Sequence, residues 1–140
     1  MKLKLIMASI LVLGIFLTGC TDTEEKKPPQ VSNKYEFTIS ANGHTVQYVE
    51  KVEGYKYVYL TVESDQPLDV WVMPSEEDVE TYLNEEGRYE IYQHLSRRND
   101  DSYFSSAEVT TDMYIIVENA GYSTAHVQMW VVQSQYESRR

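Results

Sequence analysis

The sequence predicts an all-β protein, an antiparallel β-sandwich with one inserted short helix. Three observations support this class: apolar and polar residues alternate in several runs, turn residues separate those runs, and only one clear segment has apolar residues at helical spacing. A signal peptide and a polar segment precede the predicted domain, which spans residues 35–136 and is followed by a polar tail over residues 137–140. After the signal, about 120 residues remain, the size of one domain with one core.

The first 19 residues have the parts of an export signal. Lys2 and Lys4 are basic, residues 5–17 are apolar, and a small-residue site ends at Gly19. The apolar run is shorter than the roughly 20 residues that span a bilayer, which argues against an uncleaved membrane helix. An ordinary secretory signal is the other alternative, but its cleavage site does not require a cysteine, and here the only cysteine follows directly.

Cys20 closes the motif LTGC, residues 17–20. This motif resembles the lipobox of prokaryotic lipoproteins, in which the signal is removed before the cysteine and the thiol carries a diacylglycerol. The resemblance implies that Cys20 is lipidated, that the lipid bilayer is a partner, and that the protein is held on the extracytoplasmic side of the cell membrane. With its one cysteine acylated, the domain is expected to contain no disulfide.

Residues 20–34 are predicted to form a lipidated tether, because they are polar, contain Pro28-Pro29 and show no apolar periodicity. Loss of Lys2 and Lys4 with the signal leaves 10 basic residues against 22 acidic ones, a formal charge of −12. Nucleic acid is not expected as a partner, because phosphate contacts need clustered Lys and Arg side chains.

The predicted domain begins with strand signals. Tyr35–Ile39 alternates apolar and polar residues, Asn42-Gly43 is typical of a hairpin turn, and residues 44–52 are rich in β-branched side chains. We therefore expect the chain to open with a β-hairpin.

The following strands place aromatic and aliphatic side chains on opposite faces. From residue 57 to residue 62, aliphatic side chains at even positions share one face while Tyr57 and Tyr59 share the other. Residues 65–67, which include a proline, are expected to end this strand, and residues 68–72 to form the next.

Ser75–Gly87 is the predicted helix. Ser75 is a good N-cap, acidic residues at positions 76–78 favour the positive end of the helix dipole, and Gly87 is placed to end the helix. Successive helical positions point around the cylinder, so this acidic run cannot converge on one cation.

The second half of the chain gives mixed signals. Residues 88–101 fit either a strand or a helix, and residues 99–102 are predicted to be a turn. Strands are expected over residues 107–111, 113–118 and 124–132, and in the last of these the odd-numbered residues from Ala125 to Val131 face the core.

A family resemblance supports the same fold. The segments YKYVYLTV (residues 55–62), DVWVM (69–73) and MYIIVEN (113–119), with the acidic helix between the last two, resemble small secreted domains of the Golgi-dynamics (GOLD) β-sandwich type. The resemblance implies a β-sandwich and a protein-binding role. It supplies no catalytic residues, because the matching positions belong to the core and the turns.

No residues have the spacing of a catalytic or metal site. His44, His94 and His126 lie in separate segments without the close pairs typical of zinc ligands, and the sequence lacks a GxSxG nucleophile motif. We therefore expect no enzyme activity, no cofactor and no metal. An envelope hydrolase with a shallow acidic site and a phage-type exclusion or immunity lipoprotein are the alternatives.

Four aromatic residues alternate away from the aliphatic core and are the candidate binding residues. They are Tyr57, Tyr59, Trp71 and Trp130. In the other interpretation, the inserted helix covers them with Val79, Tyr82 and Leu83, and they form a second layer of core. The sequence thus predicts a membrane-anchored binding or accessory module at the cell envelope, with an envelope protein as its candidate partner.

Overall fold

A computed structural model describes residues 30–137 and confirms the all-β class with one short helix. In chain order, the elements are β1 (Gln30–Ile39), β2 (His44–Val49), β3 (Tyr57–Met73), α1 (Glu76–Leu83), β4 (Arg97–Glu108), β5 (Met113–Asn119) and β6 (Ala125–Ser134). The predicted signal peptide, the lipidation site at Cys20 and residues 138–140 of the predicted tail lie outside the described residues.

Strand β3 bends and thereby joins two sheets. Its first half, residues 57–64, pairs with β6, whereas residues 68–73 pair with β5, and the pairing register shifts between Glu63 and Leu68. Strand β4 pairs with both halves. Sheet I therefore has the strand order β1-β6-β3-β4 and sheet II the order β2-β5-β3-β4, with every pair antiparallel.

The two sheets face each other, as if one four-stranded sheet had been folded across its strands; β3 and β4 run through both halves. The turns after β1 and β5 and the bends of β3 and β4 all lie at this fold edge. Among residues 30–137, eighteen buried side chains fill the space between the two sheets. The core is therefore built from the inward-facing side chains of both sheets, as in other sandwiches.

The predicted hairpin at Asn42-Gly43 is wrong in its pairing, although the turn is present. The Gly43 N–H donates to the Ser40 carbonyl oxygen at 2.8 Å, and Asn42 has a left-handed φ of 62°. However, β1 pairs with β6 and β2 pairs with β5. The turn carries the chain from one sheet to the other, because that connection lets both strands bury their apolar faces in the shared core.

Other predicted boundaries also differ from the structure. The strand expected over residues 107–111 is wrong, because residues 107 and 108 end β4 and no strand follows until Met113. Strand β1 begins at Gln30 rather than at residue 35, since residues 30–34 pair with β6. Residues 65–67 bend β3 without ending it. Asn99 lies in β4 rather than in a turn. Its backbone N–H donates to Oδ1 of Asp69 at 2.8 Å, and its φ is 53°.

The helix covers the outer face of sheet II. Ser75 caps it, as predicted, by accepting a hydrogen bond from the Asp78 N–H at 3.1 Å, but the helix ends at Leu83, before the predicted Gly87. A second apolar cluster forms between α1 and the sheet, with Met73, Val79 and Ile116 buried. Trp71, Tyr82, Ile91 and Tyr114 pack around this cluster.

Candidate functional site

The outer face of sheet I differs from that of sheet II, because no described element packs over it. Its strands present cross-strand rows of side chains. In one row, Thr61 of β3 lies between Trp130 of β6 and Phe104 of β4. In the next two rows, Tyr59 lies opposite Val132 and Tyr57 opposite Ser134. We call Tyr57, Tyr59, Phe104 and Trp130 the aromatic band.

Phe104 is the most exposed member of the aromatic band. Its side chain is 55% exposed, while the other three members are partly buried. The ring of Tyr59 stacks on that of Phe104 with 6.2 Å between centroids and 16° between planes. Phe104 was not among the residues predicted from the sequence, because the strand that carries it was not recognised there.

Polar contacts fix the edges of the aromatic band. The Tyr59 hydroxyl donates to the carbonyl oxygen of Tyr136 at 3.2 Å, which ties the end of the described chain to this face. The Lys34 ammonium lies 5.2 Å from the centroid of the Trp130 ring, and the Lys56 ammonium lies 5.3 Å from that of Tyr57. Both distances are in the range of cation–π contacts.

Trp71 does not belong to the aromatic band. Its indole N–H donates to Oε1 of Glu118 at 2.8 Å, and its ring lies 5.8 Å from that of Tyr82 on the helix. The Tyr82 hydroxyl donates to the same carboxylate oxygen. Trp71 therefore lies in the second layer of core under α1, whereas Tyr57, Tyr59 and Trp130 share the outer face of sheet I. Trp71 on sheet II thus fits the second-layer interpretation, whereas no described helix packs over the three aromatics of sheet I.

An acidic cleft adjoins the aromatic band on the same face. Its volume is about 620 Å³, and Glu36, Glu63, Asp65, His126 and Gln128 are among the residues that line it. Gln128 pairs with Glu36 on one side and with Glu63 on the other, so two carboxylates flank one amide. The cleft was not predicted, because its residues come from three segments that are distant in the sequence.

Asp65 and His126 form a pair inside the cleft. The Asp65 carboxylate accepts the backbone N–H of His126 at 2.7 Å, and its second oxygen lies 2.6 Å from the imidazole Nδ1. The backbone hydrogen bond is the main cause, and the ring contact the second, of a lowered pKa for Asp65. Both side chains are at least half exposed. The pair lies at the surface and fixes the bend of β3 to the start of β6.

The cleft lacks the arrangement of a nucleophilic or metal site. Within residues 30–137, no serine hydroxyl is hydrogen-bonded to His126, and Ser64 in the cleft instead accepts the Gln66 N–H at 3.1 Å. No group of three or more potential metal ligands comes together in the same part of the chain. His44 and His94 lie on other elements. The carboxylates and aromatic rings can therefore contribute charge, hydrogen bonds and apolar area to binding.

None of the helices in the described part of the chain has the length and apolar character needed to cross a membrane.

Comparison with protein families and with curated proteins finds no match. Among solved structures, the chain is similar to a de novo designed double-stranded β-helix, with 9% identity, a TM-score of 0.42, and coverage of 71% of this chain and 97% of that one. It is also similar to a chain from the disulfide-linked pili of Bacillus endospore appendages, with 12% identity, a TM-score of 0.42, and coverage of 83% and 97%. Neither likeness bears on function.

Proposed function

We propose that this chain is a lipoprotein, anchored by acylated Cys20 on the extracytoplasmic side of the cell membrane, that acts as a binding or accessory module. One observation carries the binding role: within residues 30–137, no helix or strand packs over the aromatic band on sheet I, whereas α1 covers the corresponding face of sheet II. The two outer faces of the domain thus differ in whether a helix packs on them. The proposed partner is a protein of the cell envelope.

Physical arguments support a binding role for the aromatic band. Tyr and Trp combine a large apolar area with a polar tip, and they are enriched at interfaces for that reason. A contiguous exposed apolar patch commonly marks an interaction site, whereas single exposed apolar residues need no explanation. Phe104 is exposed, the partly buried Tyr59 stacks on it, and Trp130 lies in the same row on the other side of Thr61, so this face groups its aromatic side chains.

The position of the chain start supports a partner close to the membrane. Gln30, where β1 begins, pairs with Ser134, and Tyr57 of the aromatic band pairs with that same residue. Gln30 is ten positions after Cys20, so an extended tether would span at most about 33–36 Å. A domain held on this tether would keep the aromatic band near the bilayer surface.

An envelope hydrolase is the second candidate, and the acidic cleft is the observation that favours it. Glu36 and Glu63 lie two strands apart, a backbone separation of roughly 9.6 Å from strand spacing alone. Inverting glycoside hydrolases use a pair of carboxylates that flank the scissile bond, and these two side chains are on one face of the sheet. However, both residues are exposed, and catalytic carboxylates work best where water is excluded. The binding role therefore has the stronger support.

Metabolic labelling with a fatty-acid analogue tests the anchor. Cells that produce the full-length wild type or a Thr23→Ser control should yield labelled protein in the membrane fraction, because a diacylated cysteine anchors stably. The Cys20→Ser variant should take up no label and should leave the membranes on washing. Labelling of the Cys20→Ser variant would show that the anchor assignment is wrong.

A further inference from the structure

We propose that the outer face of sheet I binds an extended, basic segment of a protein partner. In this mode, Lys or Arg side chains of the segment enter the acidic cleft, and its apolar side chains cover the aromatic band. The inference rests on the proposed function and adds the chemistry of the partner.

The aromatic band and the acidic cleft are continuous. Residues 57, 59, 61, 63 and 65 follow one another on the outer face of β3, so the row of Trp130 is directly beside the row of Gln128. Successive rows on one face lie about 6.6 to 6.8 Å apart. Side chains on one face of an extended peptide have the same spacing, so such a peptide can match the aromatic rows and the acidic rows in turn.

The charges of the cleft favour a basic partner. Glu36 is bound by Lys34 at 2.8 Å and Asp65 by His126, but Glu63 has no ion pair or hydrogen bond to another side chain among residues 30–137. The whole chain has a formal charge of −10. An acidic field of this kind accelerates the approach of basic partners and disfavours acidic ones such as nucleic acid or anionic lipid.

Lys34 already shows the expected contact within the chain. Its ammonium is both 2.8 Å from Oε1 of Glu36 and 5.2 Å from the centroid of Trp130. The Lys34 ammonium thus contacts a carboxylate of the cleft and a ring of the aromatic band at the same time. Glu63 flanks Gln128 from the other side and borders the row of Thr61 and Phe104. A Lys or Arg side chain of the partner would find an equivalent pair of carboxylate and ring there.

A peptide titration tests this inference. The probe is a fluorescent 11-residue peptide with tyrosine at positions 1, 3 and 5, lysine at positions 7, 9 and 11 and serine between them, so that tyrosines and lysines follow one another on one face. It is added to the acylated full-length mature protein in phosphatidylcholine nanodiscs, with empty nanodiscs as the blank. We expect saturable binding that weakens as salt is raised from 50 to 500 mM, because salt screens exposed charges. A peptide with glutamate in place of lysine should not bind.

Two matched variants locate the binding surface. Glu63→Gln should weaken binding of the lysine peptide by roughly three- to tenfold, and Phe104→Ser by about tenfold. Glu80→Gln makes the same charge change on the exposed side of α1 and should leave binding unchanged. Equal loss with Glu63→Gln and Glu80→Gln, or no binding of the lysine peptide, would overturn the inference.

The outcome also separates this inference from the proposed function. If the lysine peptide fails but a cell-wall polysaccharide binds in a manner that depends on Phe104, the face is a binding surface and its basic partner is refuted. Peptide binding by the Cys20→Ser protein, assayed without nanodiscs, should equal that of the wild type, because the anchor takes no part in this contact.

Discussion

Trp130 and Phe104 lie in one cross-strand row on the outer face of sheet I, on either side of β3. The two residues are 26 positions apart in the sequence, and only the pairing of β6 and β4 with the same stretch of β3 brings them together. Tyr59 stacks on Phe104 and extends this row into a patch. The aromatic band is therefore a product of strand order rather than of any local motif.

The first prediction concerns the cost of removing an outward side chain. Phe104→Ser should lower the free energy of unfolding by less than about 1 kcal/mol, because the ring is more than half exposed. Leu60→Ala, at a buried position on the opposite face of the sheet, should cost roughly 2–5 kcal/mol through the cavity it leaves. Urea unfolding followed by circular dichroism measures both. Similar losses in the two variants would show that the aromatic band is buried.

The second prediction separates the two tryptophans. Trp71→Phe removes the hydrogen bond to Glu118 under the helix and should cost about 1–3 kcal/mol, because a partly buried carboxylate loses a donor. Trp130→Phe retains an aromatic ring on the outer face of sheet I and should cost less than about 1 kcal/mol. The difference between the two melting temperatures is the quantity to measure. A larger loss in the Trp130 variant would contradict the assignment of the two layers.

The strands could be predicted from alternation, but their partners could not. Parity correctly placed Tyr57, Tyr59 and Trp130 opposite the aliphatic core, because side-chain direction depends only on position within a strand. The turn residues Asn42-Gly43 indicated a reversal of the chain without indicating whether the flanking strands pair or pack face to face. Whether the two strands pair or pack face to face depends on the whole core. Here the strands pack face to face, and β1 lies beside β6.

The candidate site was predictable only in part, for a related reason. Phe104 follows a segment rich in Asn and Asp, which local propensity assigns to a turn, whereas pairing with β3 holds it in a strand. The acidic cleft combines Glu36, Glu63 and Asp65, and no spacing in the sequence indicates that β1 and β3 carry them to neighbouring positions around β6.

The third prediction concerns acid stability. The pKa of the Asp65 carboxyl is lowered in the folded state by the hydrogen bonds from His126. This contact therefore stabilises the fold above the unfolded pKa, at about pH 4, and the contribution is lost as the pH falls through the lower folded pKa. Asp65→Asn should destabilise the protein at pH 7, and the difference from the wild type should shrink as the pH falls below about 4. Urea titrations across this range test it, and a pH-independent difference would contradict the assignment.

If the outer face of sheet I binds the partner, photo-crosslinking in intact cells should trap that partner from this face. Phe104 and, as a control, Tyr89 on the helix side are replaced one at a time by p-benzoylphenylalanine in the full-length protein; both natural side chains are exposed aromatics. We expect a discrete crosslinked protein from position 104 and none from position 89. Adducts from position 89 alone, or equal adducts from both positions, would contradict this expectation.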